Sequence, residues 1–498
     1  MPLLTELLAS YPGAVTVEGD AGRLEIAQLT ADSRAVGKGA LFVAVRGLHA
    51  DGGAYAMDAV AKGAVAVLTD NADKLVLPAS VVRVRADNVR LALARIAGAF
   101  YTPQPSAIAA VTGTDGKTST ADFFRQLWHM HNQKSASVGT LGIIRSYETP
   151  QGVASGEAIN TTPDPVSLQR NLQALAQEGC KYVALEASSH GLHQYRLDGA
   201  QIKAAAFTNL TRDHLDYHGT HEAYFEAKLR LFSELLPPES MAVLNGDDAH
   251  SDQISAVCAQ RGIHVVRYGY GRAHYRIQKI TPTLDGLALQ LEVMGAQRHC
   301  VLQMVGAFQA MNALAALGLY VGCGGTIEEG ISYIPHLVSV PGRLEKVATH
   351  PSGGGIYIDY AHTPAALANV LSTLRPHVKG KLSVVFGCGG DRDKGKRPEM
   401  GKVAVRLADN VIVTDDNPRS EKPEQIRAEV MAGAENAKNM GDRAEAIAFA
   451  VKSLGSDDVL LVAGKGHEKT QTIGDKVLPF DDAQVARYAV QICEERVK

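Results

Sequence analysis

Cysteine and tryptophan are scarce, at six and one in 498 residues. The cysteines (Cys180, Cys258, Cys300, Cys323, Cys388, Cys493) are scattered, with no Cys-x-x-Cys pair. That spacing argues against a zinc site or a disulfide framework and fits a reducing cytosol. An excess of charge of one sign is also missing. Lys and Arg number 50 against 53 Asp and Glu, a net charge of -3, so no basic footprint for nucleic acid is present. No stretch approaches ~18 uninterrupted apolar residues, so no transmembrane helix is expected. The opening "MPLLTELLASYPG" has no positive n-region and too short an apolar run for a signal peptide. The expectation is a cytoplasmic, monomeric protein that acts on small molecules, without nucleic acid or membrane insertion.

Apolar residues make up 46% of the chain, enough for several cores. Short apolar runs alternate with longer helical patterns, which predicts an α/β protein with mainly parallel sheets. The length suggests about three domains. "FYTPQPSA" (100–107) and "LVSVPGRLE" (337–345) read as joints. The resulting domains are 1–105, 106–338 and 339–498. In the last, "GIYIDYAHTP", "LSVVFGCGGDRD", "NVIVTDDNPR" and "DVLLVAGKGHE" are each a strand followed by polar or Gly-rich sequence. Ligands of open α/β sheets bind beyond the carboxyl ends of the strands, so this domain is expected to be doubly wound with one ligand-binding edge.

"IAAVTGTDGKTSTADFF" (108–124) carries the strongest local signal. A strand leads through Gly113-Thr114-Asp115-Gly116-Lys117-Thr118 into a helix. Glycines let backbone N–H groups reach phosphate oxygens, and the helix N-terminus favours anions. Lys117 is placed for the β- and γ-phosphates of ATP and the Thr118 hydroxyl for Mg²⁺. Val111 stands where the longer G-x-x-x-x-G-K-[ST] pattern has its first glycine. A strand in 181–192 ends at Glu186, a natural Mg²⁺ ligand. Another strand ends in a cluster of Asp213, His214, Asp216 and His218. In the following helix Lys228 has apolar neighbours Ala227, Leu229, Leu231 and Phe232. Taken alone, such a lysine reads as a snorkelling side chain.

Together and in this order, these motifs resemble the Mur ligase family of ATP-dependent amide-bond synthetases that build peptidoglycan. The resemblance spans essentially the whole chain. It implies a small N-terminal α/β uridine-binding domain, a central P-loop ATPase-type domain and a C-terminal Rossmann-like domain. It implies that Ser33, Arg34 and His49 contact the uridine end of a UDP-sugar peptide, and that Thr161, Thr162, Ser188, Gln194 and Arg196 contact its muramoyl peptide. Glu186 and His214 match magnesium ligands, which with Thr118 are implied to serve two ions. Lys228 matches a lysine carried as a carbamate (N6-carboxylysine) made with CO₂ or bicarbonate. Carbamylation turns a cation into an anionic metal ligand and needs an uncharged amine, which apolar neighbours favour. Arg343, Asp359 and His362 match positions that touch ATP, as do Gly113 to Thr118, and Asn312 matches the adenine-contacting segment. Two positions depart from the family pattern: Asp115 replaces an asparagine of the phosphate loop, and Gln309 an asparagine of the adenine segment.

"DNPR" (416–419) resembles the family's diaminopimelate signature. An arginine fork pairs with a carboxylate that L-lysine lacks at that position. Asp416 and Glu468 are placed to hold the distal ammonium, Asn417 to orient it, Gly464 to allow close backbone approach and Arg392 to take the other carboxylate. The function implied is addition of meso-diaminopimelate to the D-glutamate of UDP-N-acetylmuramoyl-L-Ala-D-Glu through an acyl phosphate. The alternatives are an L-lysine-adding sister, which should lack Arg419, and a folylpolyglutamate-type ligase, which should lack the uridine domain. A P-loop switch or motor would give no reason for the C-terminal cluster.

Overall fold

The computed structural model describes residues 1–47, 51–70, 75–147, 160–211, 213–283 and 286–497. They form two compact units. One is Met1–Arg276 with Glu292–Ala296 and Met311–Tyr333; the other is Ile277–Leu291 with Gln297–Ala310 and Ile334–Lys498. No described helix is long and apolar enough to cross a membrane.

The first unit carries two sheets. The N-terminal sheet contains β1 (Val15–Glu18), β2 (Gln28–Thr30), β3 (Ala40–Val43), β4 (Ala64–Thr69) and β5 (Val82–Ala86). Their order is β1-β5-β4-β3-β2, parallel except for the β1–β5 pair. Successive residues of a strand point to opposite faces. Leu41 and Val43 therefore enter one core with the helix Val89–Phe100, while Ala40 and Phe42 enter another with Ala56 and Ala59. The Asn88 side chain caps that helix by accepting from the Leu91 N–H at 3.1 Å.

The second sheet of this unit holds β6 (Ala107–Thr112), β7 (Ser135–Gly139), β8 (Gly142–Arg145), β9 (Tyr182–Glu186), β10 (Ile202–Phe207), β11 (Met241–Asn245) and β12 (His264–Gly269). They run in the order β12-β11-β10-β6-β9-β7-β8, with only the β7–β8 hairpin antiparallel among these pairs. Every residue of β6, "AIAAVT", is buried. A strand in the middle of a parallel sheet has both faces covered, so it reads as an unbroken apolar run. The segment near 105 that joins the two sheets has no helix or strand, but Gln104 Nε2 fastens it to Gly199 O at 2.7 Å and Gln169 Oε1 at 2.9 Å. The first expected domain and most of the second thus share one compact unit while keeping separate cores, with 277–291, 297–310 and 334–338 of the second falling in the other unit.

Strands β13 (Tyr275–Thr283), β14 (Gly286–Val293) and β15 (Ala296–Leu302) and the helix Ala307–Gly322 follow in the chain. The second unit is built on β16 (Glu345–Thr349), β17 (Gly355–Asp359), β18 (Leu382–Phe386), β19 (Asn410–Val413), β20 (Lys438–Asn439) and β21 (Val459–Ala463), in the order β16-β17-β21-β18-β19-β20. All of its neighbours are parallel except β16 and β17. Val384 and Leu461 face one core, lined by Leu367, Leu371 and Met400, while Val385 and Leu460 face another, lined by Ile447 and Ala486. Helices on both faces make the sheet doubly wound. A hairpin of β22 (Thr470–Ile473) and β23 (Lys476–Pro479) follows β21.

Candidate active site

In the first unit, the site begins where β6 turns into the helix Lys117–Met130. Gly113 (φ 149°) and Gly116 (φ 83°) hold backbone angles that a Cβ opposes. A Cβ on Gly113 would also overlap the Thr208 hydroxyl. The loop is tied to the end of β10: Asp115 N–H donates to Asn209 Oδ1 (2.9 Å), and Thr208 Oγ1 donates to Asp115 O (2.6 Å). Asp115 is exposed, so its charge lies in solvent. Lys117 Nζ folds back onto Gly113 O (2.9 Å) and Thr114 O (2.8 Å).

Glu186, at the end of β9, is 3% exposed and is held by three donors. Thr140 N–H reaches Oε1 at 2.9 Å, while Thr140 Oγ1 (3.1 Å) and Thr118 Oγ1 (2.9 Å) reach Oε2. Burial raises its carboxyl above the ordinary value; the Lys117 charge and these hydrogen bonds oppose that. Glu186 and the Thr118 hydroxyl are therefore hard oxygen donors side by side next to the phosphate loop, the chemistry that Mg²⁺ selects.

Lys228 is 1% exposed, and its Nζ donates to Gly113 O at 2.7 Å. Lys117 donates to that same carbonyl, so two amines meet at one acceptor. Lys228 Nζ also sits 4.4 Å from the centre of the Tyr224 ring. Burial, and after it the Lys117 charge, hold the Lys228 ammonium well below its ordinary range. An uncharged nucleophilic amine is what carbamate formation requires. Lys228 is buried, so the solvated alternative read from the sequence does not hold.

His214 has left-handed backbone (φ 51°) at the start of the turn Leu215–His218. Its Nε2 lies 3.4 Å from Asp213 Oδ2, and its ring packs edge-on against His190 with centroids 4.9 Å apart. Burial, then the neighbouring His190, His193 and His214, push His218 down to about 4. Among the described residues, no three His, Cys, Asp or Glu side chains converge as a metal cage. Glu186, Thr118 and His214 thus form partial donor sets, to which an anionic group on Lys228 would add. Asn312, from the helix Ala307–Gly322, reaches the same loop; a Cβ on Gly116 would come 2.5 Å from its Oδ1. Gln309, in that helix, is wholly buried.

The muramoyl-peptide candidates form one connected group beside Glu186. Thr161 Oγ1 is 3.2 Å from Thr140 Oγ1. Thr162 Oγ1 donates to Glu186 O (2.7 Å), and Ser188 N–H donates back to it (3.0 Å). Arg196 bonds Thr162 O at 2.7 Å and Gln194 Oε1 at 2.8 Å. Thr162 is buried and knots the group together, while Thr161, Gln194 and Arg196 lie nearer its surface. In the N-terminal sheet, Ser33 O accepts from Lys62 Nζ (2.9 Å), and Arg34, 87% exposed at its side chain, pairs with both oxygens of Asp32 at 2.9 Å. His49 lies outside the described residues.

The second unit gathers a separate cluster beyond the carboxyl ends of β17, β18, β19 and β21. The two aspartates after β19 part company. Asp415 pairs with Arg427, whereas the Asp416 carboxylate, buried against Gly464, accepts no hydrogen bond among the described residues. Burial raises the Asp416 carboxyl, against the charges of Arg443 and Lys465. Asn417 Nδ2 donates to Glu468 Oε2 at 2.8 Å. Arg419 (φ 51°) donates Nη1 to Gly390 O at 2.8 Å, against the loop that carries Arg392. Arg392 is exposed, bonded to Asp391 O at 3.0 Å. The β22–β23 hairpin fixes this segment: Gln471 Nε2 donates to Asp416 O (2.7 Å), Thr472 N–H to Asn417 Oδ1 (3.0 Å), Arg419 N–H to Thr472 O (3.0 Å) and Gly474 N–H to Arg419 O (2.7 Å).

Beneath lies an ion pair with both side chains wholly buried, Arg443 to Asp482 at 2.6 Å. Removing one partner of such a pair costs roughly 3–5 kcal/mol. Asp359, the last residue of β17, accepts backbone N–H groups from Leu344 (2.7 Å) and Ala361 (2.8 Å), which fixes the segment carrying Arg343. Arg343 stacks over Tyr360 at 5.0 Å, and His362 Nδ1 bonds Tyr360 O at 2.8 Å. Sequence reasoning missed Thr140, Lys465, Arg443 and Asp482. Only Lys465 had a signal within reach, because it lies in the quoted "GKGHE".

Three family models match the chain: "Mur ligase family, catalytic domain" over residues 25–101, "Mur ligase middle domain" over 111–320 and "Mur ligase, glutamate ligase domain" over 342–466. A curated protein of Rhizobium meliloti (strain 1021), UDP-N-acetylmuramoyl-L-alanyl-D-glutamate–2,6-diaminopimelate ligase, is 47% identical over 98% of this chain and 99% of its own. A solved structure of a protein of that same name is 34% identical, with a TM-score of 0.74, over 98% of this chain and 99% of that one. Mycobacterium tuberculosis folylpolyglutamate synthase shares the fold at 19% identity and a TM-score of 0.58, over 75% of this chain and 92% of that one.

Proposed function

The chain belongs to the Mur ligase family, and from that premise we propose how its residues carry out the reaction. It is an ATP-dependent ligase that joins meso-diaminopimelate to the D-glutamate of UDP-N-acetylmuramoyl-L-Ala-D-Glu in peptidoglycan precursor synthesis. The observation that carries the amino-acid assignment is the cluster at one sheet edge. It sets a buried Asp416 carboxylate, which accepts no hydrogen bond among the described residues, beside the fixed Asn417 amide and the segment of Arg419. Meso-diaminopimelate brings an ammonium and a carboxylate on one distal carbon, which this pairing of charges complements.

In the first step the γ-carboxylate of D-glutamate attacks the γ-phosphorus of ATP, giving an acyl phosphate and ADP. Two anions meet there, so the chain's part is positioning and charge neutralisation. Lys117 leaves its two loop carbonyls for the β- and γ-phosphates, and the backbone N–H groups of 113–118 cradle them. Asn312, Arg343 and His362 serve the nucleotide, with Asp359 holding the Arg343 segment in shape. Thr118, Glu186, His214 and the carbamate of Lys228 would hold Mg²⁺, two ions in this reading, which would supply neutralisation of the phosphate charge. The carbamate arises when the neutral Lys228 amine adds to CO₂ and releases one proton. In the second step the neutral amine of the amino acid's L-centre attacks the acyl carbonyl, and phosphate leaves. Thr161, Ser188, Gln194 and Arg196 hold the peptide beside Glu186, and Ser33, Arg34 and His49 the uridine end. Domain boundaries near 105 and 339 and a cytoplasmic, monomeric enzyme complete the reading.

Oxygen-18 in the γ-carboxylate of the dipeptide substrate tests the acyl phosphate. One labelled oxygen should appear in the released phosphate and the other should remain in the amide. Unlabelled phosphate would exclude that intermediate.

A further inference from the structure

We propose that Lys465 is a positioning residue that builds the receptor for the distal ammonium of the amino acid, by clamping Asn417 to Glu468 from below. The inference rests on the amino-acid assignment above. Lys465 stands between Gly464 (φ 113°) and Gly466 (φ 53°), whose left-handed backbone turns the chain so that the lysine points inward. It is 0% exposed, an extreme for a lysine. Its Nζ meets three acceptors: Asn417 Oδ1 at 3.1 Å, Glu468 Oε2 at 3.0 Å and Thr470 O at 2.6 Å. An ammonium has three donors, and all three are used.

The consequence falls on Asn417. Its Oδ1 accepts from Lys465 and from Thr472 N–H (3.0 Å), and its Nδ2 donates to Glu468 Oε2 (2.8 Å). Donors on one side and an acceptor on the other allow a single amide orientation. Among the described residues Glu468 is held through Oε2 alone, which leaves Oε1 for a ligand.

Charge points the same way. The Asp416 and Glu468 carboxylates lie close together, and the Lys465 ammonium acts on both. The Asp416 carboxylate, which accepts no hydrogen bond among the described residues, is left as an acceptor for an incoming ammonium. Without Lys465 the amide oxygen is left with the Thr472 N–H and Glu468 with the Asn417 Nδ2, so both are held less firmly.

Lys465→Ala and the longer Lys465→Met should raise the KM for meso-diaminopimelate by ~10–100-fold, as expected for losing a charged hydrogen-bonding partner. The KM for ATP and for the UDP-dipeptide should stay within about twofold. Added ethylammonium should enter the space left in Lys465→Ala and lower that KM saturably, with no effect on the unaltered enzyme. Lys465→Met fills more of the space and serves if the alanine variant does not fold. An unchanged amino-acid KM, or a parallel loss in all three substrates that ethylammonium does not relieve, overturns the proposal. Parallel assay of the unaltered enzyme separates the two claims: if it fails with meso-diaminopimelate, the assigned reaction is wrong; if it works and Lys465 is inert, only the inference is.

Discussion

At the scale of single residues, two buried groups matter most. Burial holds the Lys228 ammonium well below its ordinary range, and Asp416 is a carboxylate with no hydrogen-bond donor of its own among the described residues. Lys228→Ala should lower kcat by ~10²–10³-fold, the scale of removing one preorganised electrostatic group. Nucleotide binding should survive, because Lys117 and the loop backbone remain. Carbon-13 bicarbonate should give the native enzyme a carbamate carbonyl resonance that the variant lacks. Full activity of the variant would show that this amine is a packing group. The sign of the pH effect follows from the depressed amine: acid protonates it and removes the nucleophile, so the resonance should fade as pH drops and return as it rises.

Elements determine whether these residues meet. Glu186 is legible in sequence as the end of a core strand, but what holds it there was not. The carboxylate lies against Gly139 at the end of β7, and Thr140 beyond it supplies two of the three donors. No motif marks either residue. Their role comes from β7 and β9 lying side by side, which brings Thr140 to Glu186 from 46 residues away in the chain. A Cβ on Gly139 would overlap the Glu186 carboxylate. Gly139→Ala should therefore displace Glu186 and cost ~100-fold or more in kcat, as misplacements near 1 Å do, with little change in the KM for the amino acid. Unaltered kcat would mean that Glu186 tolerates displacement. Lys465 escaped notice for a related reason. A lysine between glycines looks solvated until the backbone turns it inward. The phosphate loop was legible because a strand, two glycines, Lys-Thr and a helix are contiguous; the chemical clusters after β17, β18, β19 and β21 were legible because each strand carries its own at its carboxyl end.

For the whole molecule, the pattern of cores matters more than any motif. The N-terminal sheet and the six-stranded sheet of the second unit are covered on both faces by the alternation of their own apolar residues, which is why α/β architecture could be read from the chain. The N-terminal sheet and the C-terminal cluster are what a bare nucleotide switch would not need. The folate-type relative, matched over 75% of the chain, shares the fold alone. What remains to be decided in solution is whether the cluster around Arg419 selects the substrate. Phosphate release should be measured with UDP-N-acetylmuramoyl-L-Ala-D-Glu, ATP, Mg²⁺ and bicarbonate, with meso-diaminopimelate in one reaction and L-lysine in the other. The account predicts turnover with meso-diaminopimelate and a kcat/KM on the order of 10⁴-fold lower with L-lysine, because lysine leaves the arginine unpaired. Comparable turnover with L-lysine would contradict it.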